Sequence, residues 1–230
     1  MTAYRKDYET DPERFAAARE ATRRWSSAGD IHPMVATRIV EEALRPVLDI
    51  GCGDGALRTA LPAGWPWIGL DEDAGLLRGA GPPCARADAL WCPVRNASVG
   101  AAAALWMLYH FDDPRLVIAQ AHRALRAGGL FATCTTARDD SPELERYFGP
   151  ADATPFDAEE AVDVVADVFG AANVEAQRWD GPYTILPDGD AVATYLRGRG
   201  ISREGAAEVA VAVDLPFTVT KRGVLVWARR

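Results

Sequence analysis

A chain of 230 residues with 49% hydrophobic and 25% charged residues can bury a core without disulfide or metal staples, which excludes wholesale disorder and favours one domain with a small appendage. Its net charge of −8 argues against a broad basic face, and so against a protein that grips nucleic acid by its phosphates. The longest apolar stretch, residues 99–111, is too short to cross a bilayer, and residues 1–20 are charged without the apolar segment of a secretion signal; the expectation is a cytoplasmic protein.

Asp11-Pro12-Glu13 opens the first helix: a capping acid, a proline at the first helical position and an acid in the first turn. Phe15, Ala18, Thr22 and Trp25 follow at helical spacing, and Gly29 ends the run. A second helix is expected over 34–44, entered through His32-Pro33. The period then changes. Pro46-Val47-Leu48-Asp49-Ile50 reads as a buried strand running into the glycine-rich turn Gly51-Cys52-Gly53-Asp54-Gly55 and a helix. Further strands are expected over 67–70, ending at Asp71, over 84–87, ending at Asp88, and over 99–107. Asp112-Asp113-Pro114 caps a helix to about residue 126, stopped by Gly128-Gly129, and 130–136 is a fifth strand. Beyond Arg138 come an amphipathic helix over 157–169, a strand over 174–179, two short helices within 188–212 broken around Gly198 and Gly200, and a β-rich close over 217–227. Strands alternating with helices predict an α/β fold whose parallel sheet is covered on both faces.

In such a sheet a ligand binds outside the carboxyl ends of the strands, at the topological switch point. Acids stand at three successive strand ends: Asp49, then Asp71 with Glu72, then Asp88 beside Ala89. One could be a helix cap; three point to a polar ligand lying across the sheet edge. Gly51-x-Gly53-x-x-Ala56 also fits a dinucleotide fingerprint, and Asp71 lies 71 − 51 = 20 residues on, where a ribose-binding acid belongs. Against a dinucleotide stands Asp49, which would repel a pyrophosphate but would welcome an amine or a sulfonium.

The ordered set of motifs resembles the class I S-adenosylmethionine-dependent methyltransferases. Val47-Leu48-Asp49-Ile50-Gly51-Cys52-Gly53-Asp54-Gly55 is similar to their first motif, Ile68-Gly69-Leu70-Asp71 to the second acidic strand end and Ala87-Asp88-Ala89 to the third. Residues 105–114 and 122–131 resemble the segments around their fourth and fifth strands, so the likeness covers 46–136; the nearest branch is that of small-molecule enzymes like those of ubiquinone and menaquinone biosynthesis. The resemblance implies a Rossmann-like, doubly wound, mostly parallel seven-stranded sheet with an antiparallel last strand and an N-terminal helical lid. It implies a cap over 1–45 and a catalytic domain over 46–230, with a lid insertion around 183–212. It further implies that S-adenosylmethionine is the cofactor. Asp49 and the backbone of Gly51, Cys52, Gly53 and Gly55 would hold its methionine part, Asp71 with Glu72 nearby the ribose, and Asp88 and Ala89 the adenine. Leu105 would offer a carbonyl to the methionine amine, and Met107 would pack near the adenosine. Tyr4, Tyr8 and Arg14 are lid candidates.

His110, after the fourth strand, is the candidate general base, and Tyr109 the second catalytic candidate. Other residues have plainer readings. His32 reads as a helix cap more readily than as a substrate ligand, His122 as surface, Asp139-Asp140 as a solvated loop, and Trp179, Tyr183 and Tyr195 as core before acceptor pocket. The four cysteines form no C-x-x-C pair and are expected as free thiols, and no metal-ligand spacing is present. The expected reaction is methyl transfer to a small-molecule acceptor, at O, N or C, in secondary metabolism. The expected partners exclude nucleic acid and membrane, and the chain is expected to be a monomer or homodimer. The rivals are an RNA methyltransferase of the same fold, a nicotinamide-dependent oxidoreductase, and a non-catalytic cofactor-binding protein.

Overall fold

The computed structural model describes residues 11–27, 30–150 and 152–230. In chain order the elements are α1 (Pro12–Trp25), α2 (His32–Glu41), β1 (Val47–Ile50), α3 (Ala56–Ala60), β2 (Trp67–Asp71), α4 (Ala74–Ala80), β3 (Cys84–Arg86), β4 (Val99–Leu105), α5 (Pro114–Ala124), β5 (Leu125–Thr136), α6 (Glu145–Phe148), α7 (Ala161–Phe169), β6 (Val174–Leu186), α8 (Gly189–Gly198), α9 (Arg203–Ala212) and β7 (Phe217–Arg229). Asp11 caps α1 by accepting from the Arg14 amide, and Asp113 caps α5 through Arg115, as the sequence predicts. Gly29, Tyr4 and Tyr8 lie outside the described residues.

The strands form one seven-stranded sheet in the order β3-β2-β1-β4-β5-β7-β6. β3, β2, β1, β4 and β5 pair in parallel. The Gly128 amide donates to Arg230 O and the Ala137 amide to Arg222 O, so β7 descends as β5 climbs and the two are antiparallel. From β1 the chain winds outward through β2 and β3, then returns to place β4 on the other side of β1. The switch point therefore lies between β1 and β4. Every residue of β1 and β4 is buried, and the alanines of β4 keep that strand slim on both faces.

By its internal contacts the chain divides into two compact units. One comprises Ile31–Thr135, Pro155–Arg178 and Val224–Arg230. It holds α2, the strands β1 to β4, most of β5 and the helices α3, α4, α5 and α7. In it Phe131 of β5 stacks on Phe169 of α7 with ring centroids 5.4 Å apart, and His122 of α5 meets Phe169 edge-on at 4.9 Å. His122 is thus a packing residue rather than plain surface, and burial pushes its pKa down.

The other unit comprises Met1–Asp30, Thr136–Thr154 and Trp179–Gly223. Its core gathers Ala21 of α1, Leu144, Leu186, Val192 and Leu196 of α8, Val209 of α9, Phe217 and Val219. A Cβ on Gly198 of α8 would fall 2.6 Å from Ala18 Cα, so these helices touch backbone to backbone. Arg197 ties α8 to the α1 cap through Asp11 at 2.8 Å.

Several predicted boundaries are corrected. The helix expected to reach residue 126 ends at Ala124, and Gly128-Gly129 lie inside β5, where the Gly128 amide and the Gly129 carbonyl pair with Arg230. The glycines allow a bulge rather than stop a helix: β5 advances from Leu125 to Leu130 while β4 advances from Val99 to Ala101. The strand expected over 174–179 continues to Leu186, carrying Tyr183 within it. The strand expected to reach 107 ends at Leu105 because Trp106 takes a left-handed φ of 57°. Asp139-Asp140 is no solvated loop: Asp140 is buried, accepting from Arg199 and Lys221. The four cysteines are free. Among the described residues no helix is long and apolar enough to cross a membrane.

Candidate active site

Asp49 stands near the carboxyl end of β1 with 3% of its surface exposed. Its register partner on β2 is Gly69. Any Cβ on Gly69 would fall 2.2 Å from the Trp67 ring, so the missing side chain is what lets that ring fold across the strand. The Trp67 Nε1 thereby reaches Asp49 Oδ2 at 3.2 Å. One neutral donor does not offset the loss of water around a buried carboxylate. Burial pushes the Asp49 carboxyl up to about 7, against the opposing pull of His32 and the Trp67 bond and with a further push from Asp71. The group is poised to accept a cation.

The turn after β1 is shaped for close approach. Gly51, Gly53 and Gly55 all have positive φ, and a Cβ on Gly51 would lie 2.9 Å from Met107 Cγ. Met107 follows the bend at Trp106, so the end of β4 and the turn after β1 meet at the switch point. The turn is tied to β2: the Gly51 and Cys52 amides donate to Leu70 O at 2.8 and 3.0 Å, and the Gly53 amide to Asp71 Oδ2 at 2.8 Å. With those three amides engaged, the turn offers a ligand its shape and its carbonyls. Cys52 is buried there, and burial, then Asp49 and Asp71, push its thiol far up. It is no nucleophile.

Asp71 ends β2. Its second oxygen accepts from the Asp73 amide at 2.8 Å, yet each carboxylate oxygen has a further lone pair for a hydroxyl donor. Burial pushes the carboxyl up against these bonds. Glu72 beside it is exposed. Asp88 is also exposed, one residue beyond Ala87, whose amide donates to Asp71 O at 2.9 Å. Asp88 Oδ1 caps the short turn Ala89–Trp91 through the Leu90 amide at 2.8 Å, and Ala89 is buried. Leu105 is buried at the end of β4. Tyr109 and His110 lie in the helical turn Leu108–His110, half-buried, with rings edge-on and centroids 4.7 Å apart.

All thirteen residues expected to bind or catalyse thus fall in the unit containing β1 to β4, on the carboxyl ends of its strands and the turns that follow them. Arg14, Trp179, Tyr183 and Tyr195 belong to the other unit. Sequence reasoning missed Trp67 and Asp73, which hold the two key acids. The signal for Trp67 was present as Trp-x-Gly opposite the Asp49 strand, legible only once the register is known. Among the described residues no group of three or more His, Cys, Asp or Glu side chains is placed to hold a metal ion.

Residues 48–133 match the family described as "Methyltransferase domain". The chain is similar to a malonyl-[acyl-carrier protein] O-methyltransferase of Xylella fastidiosa, 34% identical over 122 residues that cover 48% of this chain and 41% of the relative. It is also similar to an uncharacterized methyltransferase of Mycobacterium tuberculosis, 32% identical over 97 residues, 39% of this chain and 49% of the relative. The chain thus spans less than half the length of these curated relatives. Among solved structures, the [4+2]-cyclase SpnF superposes with a TM-score of 0.60 at 17% identity, over 96% of this chain and 94% of that one. An S-adenosylmethionine-dependent methyltransferase of Archaeoglobus fulgidus superposes with a TM-score of 0.52 at 12% identity, over 86% and 94%. At these identities the likeness to solved structures is one of fold.

Proposed function

We propose that this chain, whose residues 48–133 match the family described as "Methyltransferase domain", is a class I S-adenosylmethionine-dependent methyltransferase that transfers the methyl group of S-adenosylmethionine to a small-molecule acceptor. The observation that carries this reading is the buried Asp49 carboxylate behind a turn that Gly51 keeps free of a side chain. That pairing suits an amino-acid end with a cationic nitrogen and suits a pyrophosphate poorly. The residues present fit the cofactor: Asp49 needs a cation, Asp71 has acceptor capacity for ribose hydroxyls, and Asp88 and Ala89 stand one strand further on for the adenine. When bound, the cofactor supplies an electrophilic methyl on a sulfonium. The chain's own residues hold and align it: Asp49 takes the ammonium, the Leu105 carbonyl shares it, and Met107 packs on the adenosine. His110 takes the acceptor's proton where the acceptor is a hydroxyl or a protonated amine, with Tyr109 beside it.

Labelled S-adenosylmethionine, incubated with the protein and either total RNA or low-molecular-weight metabolites of a host extract, tests the reading. The expected result is label in the metabolite fraction, falling at least tenfold with His110→Gln while cofactor binding is kept. Label confined to RNA would overturn the small-molecule acceptor.

A further inference from the structure

Trp67 is the first residue of β2, and its register partner is Val47, yet its indole reaches past Val47 to Asp49. Side chains two apart on a strand share a face, so Trp67, Gly69 and the Asp49 opposite Gly69 stand on the same face of the sheet. Gly69 leaves a gap between the other two. A Cβ there would fall 2.6 Å from Trp67 Cζ2 and 2.7 Å from Cys52 Sγ, so the indole and the thiol of the glycine turn fill the place of the missing side chain. The indole Nε1 donates to Asp49 Oδ2 at 3.2 Å, and both residues are buried. The ring is also held from α3: Arg58 lies over it, 5.5 Å from its centroid, and donates to Ala80 O. A guanidinium is attracted to the face of an indole, which helps to fix the ring.

This contact does two things to Asp49. It fixes the carboxylate's orientation: Oδ2 faces the indole, and Oδ1 is the oxygen left for a ligand. It also favours the ionised form, because an N–H bonds a carboxylate more strongly than a carboxylic acid. Around it, burial raises the carboxyl, His32 at the start of α2 lowers it, and Asp71 at the end of β2 raises it. Cys52, itself pushed far up by burial, stays a neutral thiol. A neutral donor suits a cation site. An arginine or lysine in place of the indole would pair with the carboxylate and repel an ammonium, whereas the indole steadies the carboxylate and leaves its charge to the ligand. Resting on the cofactor assignment above, we infer that Trp67 is a positioning residue for the cofactor: its N–H pins Asp49 Oδ2, so that Oδ1 meets the cofactor's ammonium. Trp67 acts through Asp49 rather than on the ligand.

Trp67→Phe keeps an aromatic ring over Gly69 and removes the N–H. Loss of one hydrogen bond to a charged acceptor moves the titration of Asp49 up by about one pH unit. The wild-type group is half ionised at about 7, so calorimetry is expected to show S-adenosylhomocysteine bound about fivefold more weakly by the variant at pH 7 and within about twofold at pH 9. Equal weakening at the two pH values would make Trp67 a packing residue and overturn the inference, as would an unchanged affinity at both. A second measurement needs no stable variant at Trp67. Among the indole N–H resonances of the seven tryptophans, one is expected to move with pH around 7 in the wild type and to stand still in Asp49→Asn. Absence of such a resonance would overturn the inference. Failure of the wild type to bind S-adenosylhomocysteine at either pH, with that resonance still titrating, would instead overturn the cofactor reading itself.

Discussion

At the scale of single residues, Asp49 decides most. Its carboxyl is raised to about 7 by burial, so the folded state favours the protonated form relative to the unfolded chain. Its contribution to stability is therefore fully present below the ordinary carboxylate value and is lost as pH rises through 7. Asp49→Asn is expected to raise the melting temperature at pH 8 and to change it little near pH 4, a difference that thermal unfolding at the two values measures. Cofactor affinity has the opposite sense, because an ammonium pairs with the ionised form. S-adenosylhomocysteine is expected to bind roughly tenfold more weakly at pH 6 than at pH 8, since one pH unit below the titration point leaves about a tenth of the group ionised. Calorimetry at the two pH values checks it, and a flat profile would remove Asp49 from the cofactor site.

At the scale of elements, the loop after β5 is organised by a buried polar knot rather than by apolar packing. Asp140 Oδ2 accepts from Lys221 of β7, from Arg199 just past α8 at 3.0 Å and from Ser141 Oγ at 3.0 Å, while Oδ1 accepts from the Arg222 amide at 2.8 Å. Ser141 Oγ meets Tyr195 Oη at 3.0 Å. Burial pushes the Asp140 carboxyl up, but the two cations outweigh it and hold it below the usual range. Its stabilising effect is thus present above the ordinary carboxylate value and is lost as pH falls through the lowered one. Lys221→Met removes one partner of a buried pair and is expected to cost about 3 kcal/mol at pH 7, and less at a pH acidic enough to protonate Asp140. Urea unfolding at the two pH values measures this; an equal loss at both would assign the effect to packing.

At the scale of the whole molecule, the cofactor is expected to act as a ligand of the native state alone. S-adenosylhomocysteine at a hundred times its dissociation constant is expected to add about 2.7 kcal/mol to the stability, visible as a rise in melting temperature, while NADH at the same concentration leaves it unchanged. A shift with NADH and none with S-adenosylhomocysteine would restore the dinucleotide reading. That reading fits the same glycines and the same Asp71, so at the level of sequence the two are separated by the carboxylate of Asp49 and by the third strand-end acid, Asp88.

The alternation of strands and helices, the acids at three strand ends and the capping of α1 and α5 were legible in the chain, because each rests on local spacing or on residues a few positions apart. The match to a methyltransferase family follows from the same linear order of motifs. Helix and strand limits near Gly128-Gly129 were not legible. Those glycines permit both a helix stop and a bulge, and the pairing with Arg230, some hundred residues away, selects the bulge. The partner of Asp49 was hidden for the same reason: Trp67 reaches it through the register of β1 on β2. Residue types and their order determined which chemistry the chain can hold. Which side chains face one another, and so which charge each buried acid carries, was decided by pairing and burial that exist only in the folded molecule.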